Sequence, residues 1–452
     1  MINYYFTVNL VDCSPDLKSI TLRFLYYYTL FYFLMTGCQP SANNAKVIRT
    51  PGPLDTITTA SIPPSLDNQP LLFKETVLKI YHAGELPESR AKHHLNMIGQ
   101  NGSAVALGEL ELSWGLDSAD AESLKKLDNY ELVPAVDYVI KRARTHEMLI
   151  IAESHYRPEH RRFTRSLLAG LYDAGYRHLG LENLLPMFGR GDGHLFDSMM
   201  VERGYPLANG FSGPYAAEPE FGNLVREAAK LGFNIFGYER NGSSDSERDL
   251  QMTEHILAYR AAHPEGKIVC HGGWYHAIES DQEKGPDQYW MARYYKQLTG
   301  DDPLTIYQDA LNEKLAEAVA NSPYYDHLLN TKPKFRQTMV PVDQEGQVWR
   351  GPGEGTPFDI LTVDPPRKIL NDRPPHEGEM AFKISEQPWF STLDYPALLR
   401  ITPSHESSVA TPIVSSQIDH PDHLPEIGLP LGHYRIELIT RNGDGFQYSF
   451  PE

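Results

Sequence analysis

The chain has 452 residues, of which 41% are hydrophobic and 22% charged, and its formal net charge at pH 7 is -18. This length allows two or three domains with a sizeable core. The acidic balance excludes nucleic acid as a general partner, because binding to a phosphate backbone requires a basic surface. The three cysteines, Cys13, Cys38 and Cys270, have the spacing of neither a metal site nor a disulfide framework.

The first 38 residues have the features of a bacterial lipoprotein signal. Lys18 and Arg23 precede an apolar run from Phe24 to Met35, which is too short to span a membrane, and Thr-Gly-Cys38 follows it. A buried aromatic strand or helix is the alternative. We therefore predict that residues 1–38 are a signal segment and that Cys38 carries lipid such as palmitate. The protein would then be anchored in the bacterial cell envelope, at the outer membrane or on the periplasmic face.

The next segments predict a tether and then an α/β domain. Residues 39–70 are rich in Pro, Ser, Thr and Asn and lack apolar periodicity, which is typical of a flexible tether. In the stretch "AVALGELELSWGL", apolar residues alternate with other residues, which favours a strand or hairpin. From about Asn129 onward, short apolar runs alternate with amphipathic helices. This pattern predicts an α/β domain over residues 71–325, with a mostly parallel sheet of about five strands and flanking helices.

The C-terminal part has a different pattern. Short alternating runs are separated by Pro, Gly and Asn-Gly, and "ITRNGDGFQYSF" has the form of a hairpin. We therefore predict a small all-β extension over residues 326–452.

Polar side chains follow the ends of four predicted strands. Glu153 and His155 follow the first strand, Glu182 the second, and Tyr238, Glu239 and Arg240 the third, while the fourth runs into the segment from His271 to His276. In an open parallel sheet, ligands bind outside the carboxyl ends of the strands. The sequence thus predicts carboxylates and imidazoles at one edge, which is the composition that acid–base chemistry requires.

Each of these residues also has a structural interpretation. Glu153 could cap the helix that follows it, because carboxylates suit helix N-termini. Glu182 could simply pair with Arg161, Arg162 or Arg165, and Gly272 and Gly273 could only permit a turn. It is the convergence of the strand ends that favours a functional site.

Four short motifs in order resemble those of the erythromycin esterase/ChaN/Tiki–TraB superfamily. The matching residues are Glu153 and His155 after the first strand, Glu182 closing the second, Arg248-Asp249 with Met252 on a helix, and the turn from Gly273 to His276. The resemblance covers about residues 133–308. Ala152 stands where the family usually has Gly.

The resemblance implies a hydrolase that activates water on an ester or amide of a small molecule or peptide. His155 would be the general base, and Glu153 or Glu182 would orient it. His276 would be a second acid–base group or an oxyanion partner, and Arg248 would stabilise developing negative charge.

Two further functions follow from other members that the chain resembles. A Tiki-like peptidase would bind a divalent metal in a mixed N/O site, with His155, His276 and Glu182 as candidate ligands and Glu153 as a further one. A ChaN-like lipoprotein would bind haem, for which Tyr156, Tyr238, Tyr275 and Trp274 are candidate contacts. A surface-anchored protein with an inactive site, whose β extension binds a partner, remains a third possibility.

Overall fold

The computed structural model describes residues 72–109, 114–184, 195, 197–239, 247–280, 288–353, 355–366, 379–441 and 445–450. The predicted signal segment with Cys38, the predicted tether and Arg240 lie outside these residues.

Eleven helices are present in the described part of the chain, together with 3-10 turns at Trp274–Ala277, Ile384–Glu386 and Phe390–Thr392. The helices are α1 (Lys74–His82), α2 (Glu88–Met97), α3 (Asn101–Ala106), α4 (Ala121–Leu127), α5 (Ala135–Ala143), α6 (Pro158–Asp173), α7 (Met200–Arg203), α8 (Pro219–Leu231), α9 (Arg248–Ala262), α10 (Met291–Thr299) and α11 (Pro323–Thr331).

Fourteen strands are present in the same described residues. They are β1 (Glu131–Pro134), β2 (Met148–Glu153), β3 (Tyr176–Leu181), β4 (Asn234–Gly237), β5 (Lys267–Gly273), β6 (Leu304–Leu311), β7 (Met339–Val342), β8 (Ile360–Val363), β9 (Glu379–Phe382), β10 (Ala397–Pro403), β11 (Val414–Ile418), β12 (Ile427–Pro430), β13 (Tyr434–Thr440) and β14 (Gly445–Phe450).

The larger sheet has eight strands in the order β1-β7-β8-β6-β2-β5-β3-β4. The pairs from β8 across to β4 are all parallel, whereas β7 is antiparallel to both of its neighbours. The carboxyl ends of β2, β5, β3 and β4 therefore meet at one edge, as the sequence predicted.

Helices cover both faces of this sheet. Along β2, Leu149 and Ile151 pack against apolar residues of α5, α6 and α8, whereas Ile150 and Ala152 face the cluster formed with α9, α10 and α11. This is the alternation of a strand buried on both faces, and it explains why the apolar run of β2 is continuous.

The C-terminal part forms two smaller sheets, one of four strands in the order β11-β10-β13-β14 and one pairing β12 with β9. The predicted hairpin is confirmed, since β13 pairs antiparallel with β14. A separate apolar cluster lies between these sheets. Leu398 and Ile439 point to the other face of the four-stranded sheet, where they pack against apolar residues of α1, α2 and α3.

Three sequence-based expectations were wrong in detail. The larger sheet has eight strands rather than about five. The all-β part does not begin at residue 326, because α11 packs on the larger sheet and β7 and β8 pair within it. The first three residues of the stretch predicted as a strand or hairpin belong instead to α3, which ends at Ala106, and residues 110–113 of that stretch lie outside the described ones. Some short strands pair with strands that are distant in the sequence. The local pattern alone cannot show which sheet such a strand joins.

None of the helices in the described ranges combines the length and the hydropathy that crossing a membrane requires.

Candidate active site

His155 lies between two carboxylates that are held on opposite faces of the sheet. The Glu153 side chain lies on the same face of the sheet as Leu149 and Ile151 of β2. Glu182 lies on the other face, with Cys270 and Tyr238. Nδ1 of His155 is 2.8 Å from Glu153 Oε1, and Nε2 of His155 is 3.9 Å from Glu182 Oε2. His155 is therefore fixed by Glu153 and only approaches Glu182.

Glu153 is buried and receives hydrogen bonds from three cationic or imidazole side chains. Arg161 donates from Nε to Oε2 at 2.8 Å and from Nη2 to Oε1 at 2.9 Å. Nε2 of His271 lies 2.8 Å from Oε2 of the same carboxylate. On β5, His271 is opposite Ile151 of β2 and so points to the same face as Glu153.

Arg161 connects the site to a second helix. Its Nη1 donates to Glu218 Oε2 at 2.9 Å, and its Nη2 also donates to the His155 carbonyl at 2.8 Å. Glu218 is the N-cap of α8 and accepts from the backbone N–H groups of Glu220 and Phe221. The planar guanidinium thus fixes the loop after β2 relative to α6 and α8.

The charge on Glu153 determines the tautomer of His155. Burial by itself would raise the pKa of Glu153, but the cationic Arg161 and His271 outweigh it and hold that pKa well below its usual range. An ionised carboxylate can only accept hydrogen bonds. Nδ1 of His155 therefore carries a proton, and Nε2 is the nitrogen left to accept one, on the edge of the ring away from Glu153.

Glu182 is held in the same ionised state by other partners. It accepts from Arg248 Nη2 at 2.6 Å and from the backbone N–H of Gly273. Burial would raise its pKa, but His276, His155 and Arg248 outweigh burial and lower it. A Cβ on Gly272 would lie 2.7 Å from Glu182 Oε2, so the glycine there permits the close approach of this carboxylate.

Arg248 and His276 bring positive charge to the cavity. Arg248 is the first residue of α9 and also binds Glu239 through Nε at 3.1 Å. Nδ1 of His276 is 2.6 Å from Asp249 Oδ1, and its Nε2 is 3.4 Å from Glu182 Oε1. Burial would lower the pKa of His276, but Asp249 and Glu182 outweigh burial and raise it to about 10. His276 is therefore a cation at neutral pH.

A cavity of about 380 Å³ opens between these groups. Its polar lining includes His155, Glu182, Glu239, Arg248 and His276, while Asn183, Pro214, Tyr215, Tyr275 and Trp290 form much of the remaining wall. This size is within the usual range of small-molecule sites. The rings of Tyr275 and Trp290 are stacked, with their centroids 4.8 Å apart.

The ring of His155 is also supported by an aromatic stack with Tyr215. Tyr215 lies parallel to the His155 ring at a centroid distance of 4.8 Å. The Tyr215 ring also contacts the ring of His93 on α2, with the two centroids 4.2 Å apart, and His93 Nε2 is 2.8 Å from the Pro214 carbonyl. α2 thus supports two residues of the cavity wall, Pro214 and Tyr215, without lining the cavity itself.

All five residues predicted for catalysis come together in this region. His155, Glu182, Arg248 and His276 line the cavity, and Glu153 lies behind His155. Their catalytic roles remain a prediction. The capping interpretation of Glu153 is wrong, because α6 begins after Arg157 with no side-chain cap and Glu153 binds Arg161 instead. Pairing of Glu182 with residues 161, 162 or 165 is also wrong, because its arginine partner is Arg248.

Sequence reasoning gave no role to Glu218, Tyr215 or His93. It considered Arg161 only as a partner of Glu182, and it named His271 only as the start of the segment after the fourth strand. A signal for Arg161 was present, because it lies three residues before Thr164 and seven before Leu168 and so shares the buried face of α6. A charged residue on such a face is rarely buried unless it is paired. No comparable signal marks Tyr215 or His93.

Two of the proposed metal ligands, Glu182 and His276, are bound to protein groups in this structure. Among the described residues, no group of three or more His, Cys, Asp or Glu side chains is arranged to bind one. Glu182 is already engaged by Arg248 and the Gly273 N–H, and His276 is held as a cation by Asp249. A metal ligand must instead be deprotonated.

The candidate haem contacts are spread over different environments. Tyr238 is buried, and its hydroxyl donates to the His271 carbonyl at 3.0 Å, so it cannot be an axial ligand without rearrangement. Tyr156 is half-buried with Lys92 over its ring at 4.1 Å. Tyr275 lines the cavity, and the side chain of Trp274 lies outside the described part of the structure.

No family model matches the chain, and no curated protein matches it. Among solved structures, the type III effector HopBA1 is 14% identical, with a TM-score of 0.32 over 55% of this chain and 99% of that one. RRSP, a MARTX toxin effector domain from Vibrio vulnificus CMCP6, is 16% identical, with a TM-score of 0.28 over 46% of this chain and 44% of that one. A structure of bacterial protein toxins is 16% identical, with a TM-score of 0.27 over 49% of this chain and 46% of that one. TM-scores this low carry no conclusion about the activity of this chain.

Proposed function

We propose that this protein is a hydrolase in which His155 activates water for attack on an ester or amide carbonyl. The observation that carries the proposal is the fixed orientation of His155, with Nδ1 on the Glu153 carboxylate and the ring in the wall of the cavity. This is the arrangement that a general base and its orienting carboxylate require. The motif resemblance to the erythromycin esterase superfamily supports the same assignment.

In the proposed reaction, Nε2 of His155 accepts a proton from water while the water oxygen bonds to the carbonyl carbon. Glu153 stabilises the imidazolium that forms. The carbonyl oxygen gains the negative charge, and the cations Arg248 and His276 stabilise it. The bond to the leaving alcohol or amine then breaks, and the imidazolium returns the proton to the leaving group.

The surroundings of His276 support one of the two roles that the sequence left open for it. A histidine with its pKa raised to about 10 keeps its proton at neutral pH, so it cannot accept one from water there. We therefore assign His276 to charge stabilisation and His155 to proton transfer. We also retain the sequence-based proposal that Cys38 anchors the protein to a bacterial membrane.

The proposal is tested by replacing His155 with Ala and measuring hydrolysis of p-nitrophenyl acetate and p-nitrophenyl butyrate. We expect kcat/KM to fall at least 100-fold, in the range that loss of a general base produces. His405→Ala is the matched control, because His405 is exposed and does not line the cavity. Circular dichroism and the unfolding midpoint check that both variants fold. Equal rates in the His155→Ala variant and the wild-type protein would refute the assignment.

A further inference from the structure

A second imidazole is bound to the carboxylate that orients His155. Nε2 of His271 lies 2.8 Å from Glu153 Oε2, while Nδ1 of His155 lies 2.8 Å from Glu153 Oε1. The two rings differ in their surroundings. The His155 side chain is 27% exposed and lines the cavity, whereas His271 is 2% exposed and is not part of the lining. Any effect of His271 on the reaction therefore passes through Glu153.

The Glu153 carboxylate has its acceptor capacity filled by these contacts. An ionised carboxylate offers about four lone-pair sites. Oε1 accepts from Nη2 of Arg161 and from Nδ1 of His155, and Oε2 accepts from Nε of Arg161 and from Nε2 of His271. Because the carboxylate is buried, a lost donor is not replaced by bulk water, so each of the contacts contributes to its orientation.

His271 holds Glu153 from a different element than Arg161 does. Arg161 lies on α6, whereas His271 lies on β5, where it is paired with Ile151 of the neighbouring β2. The His271 ring is also fixed at its other nitrogen, since Nδ1 lies 3.0 Å from Thr164 Oγ1. The carboxylate is thus held from the helix by Arg161 and from the sheet by His271.

We propose that His271 is a positioning residue of the hydrolytic site, which keeps Glu153 in the orientation that His155 requires. Without the N–H of His271, Oε2 of Glu153 loses a donor, and the carboxylate can turn about its side-chain bonds toward other contacts. A catalytic base is effective only while the groups behind it hold its geometry. The inference rests on the proposed function, but the orientation of His155 can be measured without turnover.

Two amide substitutions at His271 separate the roles of its two nitrogens. The amide N–H of Gln reaches about as far from the backbone as Nε2 of histidine, whereas that of Asn ends near the position of Nδ1 and is too short to reach Glu153. We expect kcat for p-nitrophenyl acetate to fall about 10-fold or more in His271→Asn, with KM within about twofold of wild type. In His271→Gln, kcat should stay within about threefold of wild type. A role in packing alone would not distinguish the two amides in this way.

The ring proton on Nδ1 of His155 gives a readout that needs no activity. Proton–nitrogen NMR of labelled histidine should show this proton in slow exchange in the wild-type protein and in His271→Gln, and the signal should be lost in His271→Asn. Thr164→Val removes the hydroxyl that contacts His271 Nδ1 and keeps the shape of the side chain. We expect it to lower kcat by about threefold and to weaken the same signal. This variant is the test if neither His271 variant folds.

His178→Asn is the matched control. His178 is also a buried histidine of the sheet, with Nδ1 3.1 Å from the Tyr259 hydroxyl and Nε2 2.5 Å from the Glu265 carbonyl, and it does not line the cavity. We expect this variant to keep the wild-type kcat per folded molecule and the His155 signal.

Wild-type kcat and an unchanged His155 signal in His271→Asn would overturn the proposal, as would an equal loss in His178→Asn. If neither His271 variant folds, unchanged kcat and signal in Thr164→Val would overturn it. Absence of hydrolysis by the wild-type protein would instead refute the proposed function, and the NMR comparison would still decide whether His271 positions His155.

Discussion

The carboxylate of Glu153 lies 2.8 Å from Nδ1 of His155, and both of its oxygens accept hydrogen bonds from Arg161. Glu153 therefore connects the imidazole at the cavity to a buried arginine on α6. A side chain that orients a catalytic group and also compensates a buried charge should affect both activity and stability. The first two predictions separate these effects.

Replacing Glu153 with Gln should lower kcat by about 100-fold or more while the fold is retained. The amide is nearly the same size, but it can donate to His155 Nδ1, which would move the proton to Nε2 and remove the base from the cavity. The measurement is kcat for p-nitrophenyl acetate, with the His155 tautomer followed by nitrogen NMR of the labelled ring. Retention of both the tautomer and the wild-type rate would contradict the proposed role of Glu153.

Replacing Arg161 with Met should lower the free energy of unfolding by about 3–5 kcal/mol, because it leaves two carboxylates buried without their cation. Lys should not restore this stability fully, since an ammonium cannot form the bidentate contact with Glu153 while reaching Glu218. Urea unfolding at pH 7 measures the change. Arg165→Met is the control on the same helix, since Arg165 is only 3.7 Å from Glu220 and is 20% exposed, and it should cost less than about 1 kcal/mol. Equal effects at the two positions would argue against a special role for Arg161.

His276 should make the protein less stable as the pH rises above neutrality. Its pKa is raised from 6.5 to about 10 in the folded chain, so its favourable contribution is complete below pH 6.5 and is lost as the pH rises through about 10. The pKa of Glu279 is raised from 4.5 to about 8, mainly by burial and then by Asp359. The protein therefore also loses stability as the pH rises through this lower range. Unfolding free energies from pH 6 to pH 10 should therefore fall less steeply in His276→Gln than in the wild-type protein. Parallel curves for the two proteins would show that His276 is not held as a cation.

The ring of Tyr215 should matter more than its hydroxyl. The Tyr215 ring is stacked on His155 and also contacts His93, so Tyr215→Ala removes the surface that limits rotation of the catalytic ring. We expect kcat to fall about 10-fold or more in Tyr215→Ala and to stay within about threefold of wild type in Tyr215→Phe. Hydrolysis of p-nitrophenyl acetate measures both. An equally large loss in Tyr215→Phe would show that the hydroxyl, rather than the stack, is required.

Several features of the site could be predicted from local sequence. The apolar run of β2 ends at Glu153, β3 ends just before Glu182, and β5 leads through Gly273 to His276. Parallel strands place such endings at one edge, so convergence of these residues follows from the order of strands and helices alone. Arg248, the first residue of the helix after β4, was instead indicated by the motif resemblance.

Other features required contacts between distant segments. Arg161 and Glu218 are 57 residues apart, and Glu153 and His271 are 118 apart. Strand alternation assigns a face to Glu153, but it does not identify the helix residue that packs there. The contribution of His93 depends on how the N-terminal helices lie beside the loop that carries Tyr215, which no local periodicity encodes.

The sequence by itself determined the class of the fold, the edge of the sheet that carries polar groups, and the residues that extend from it, because these depend on apolar runs and on their order along the chain. The tertiary structure decided which partner each charge has. Glu153 is ionised by Arg161 and His271, Glu182 by His276, His155 and Arg248, and His276 is a cation between Glu182 and Asp249. Protonation depends on burial and on neighbours a few ångströms away, and those neighbours are brought together only when the helices pack on both faces of the sheet.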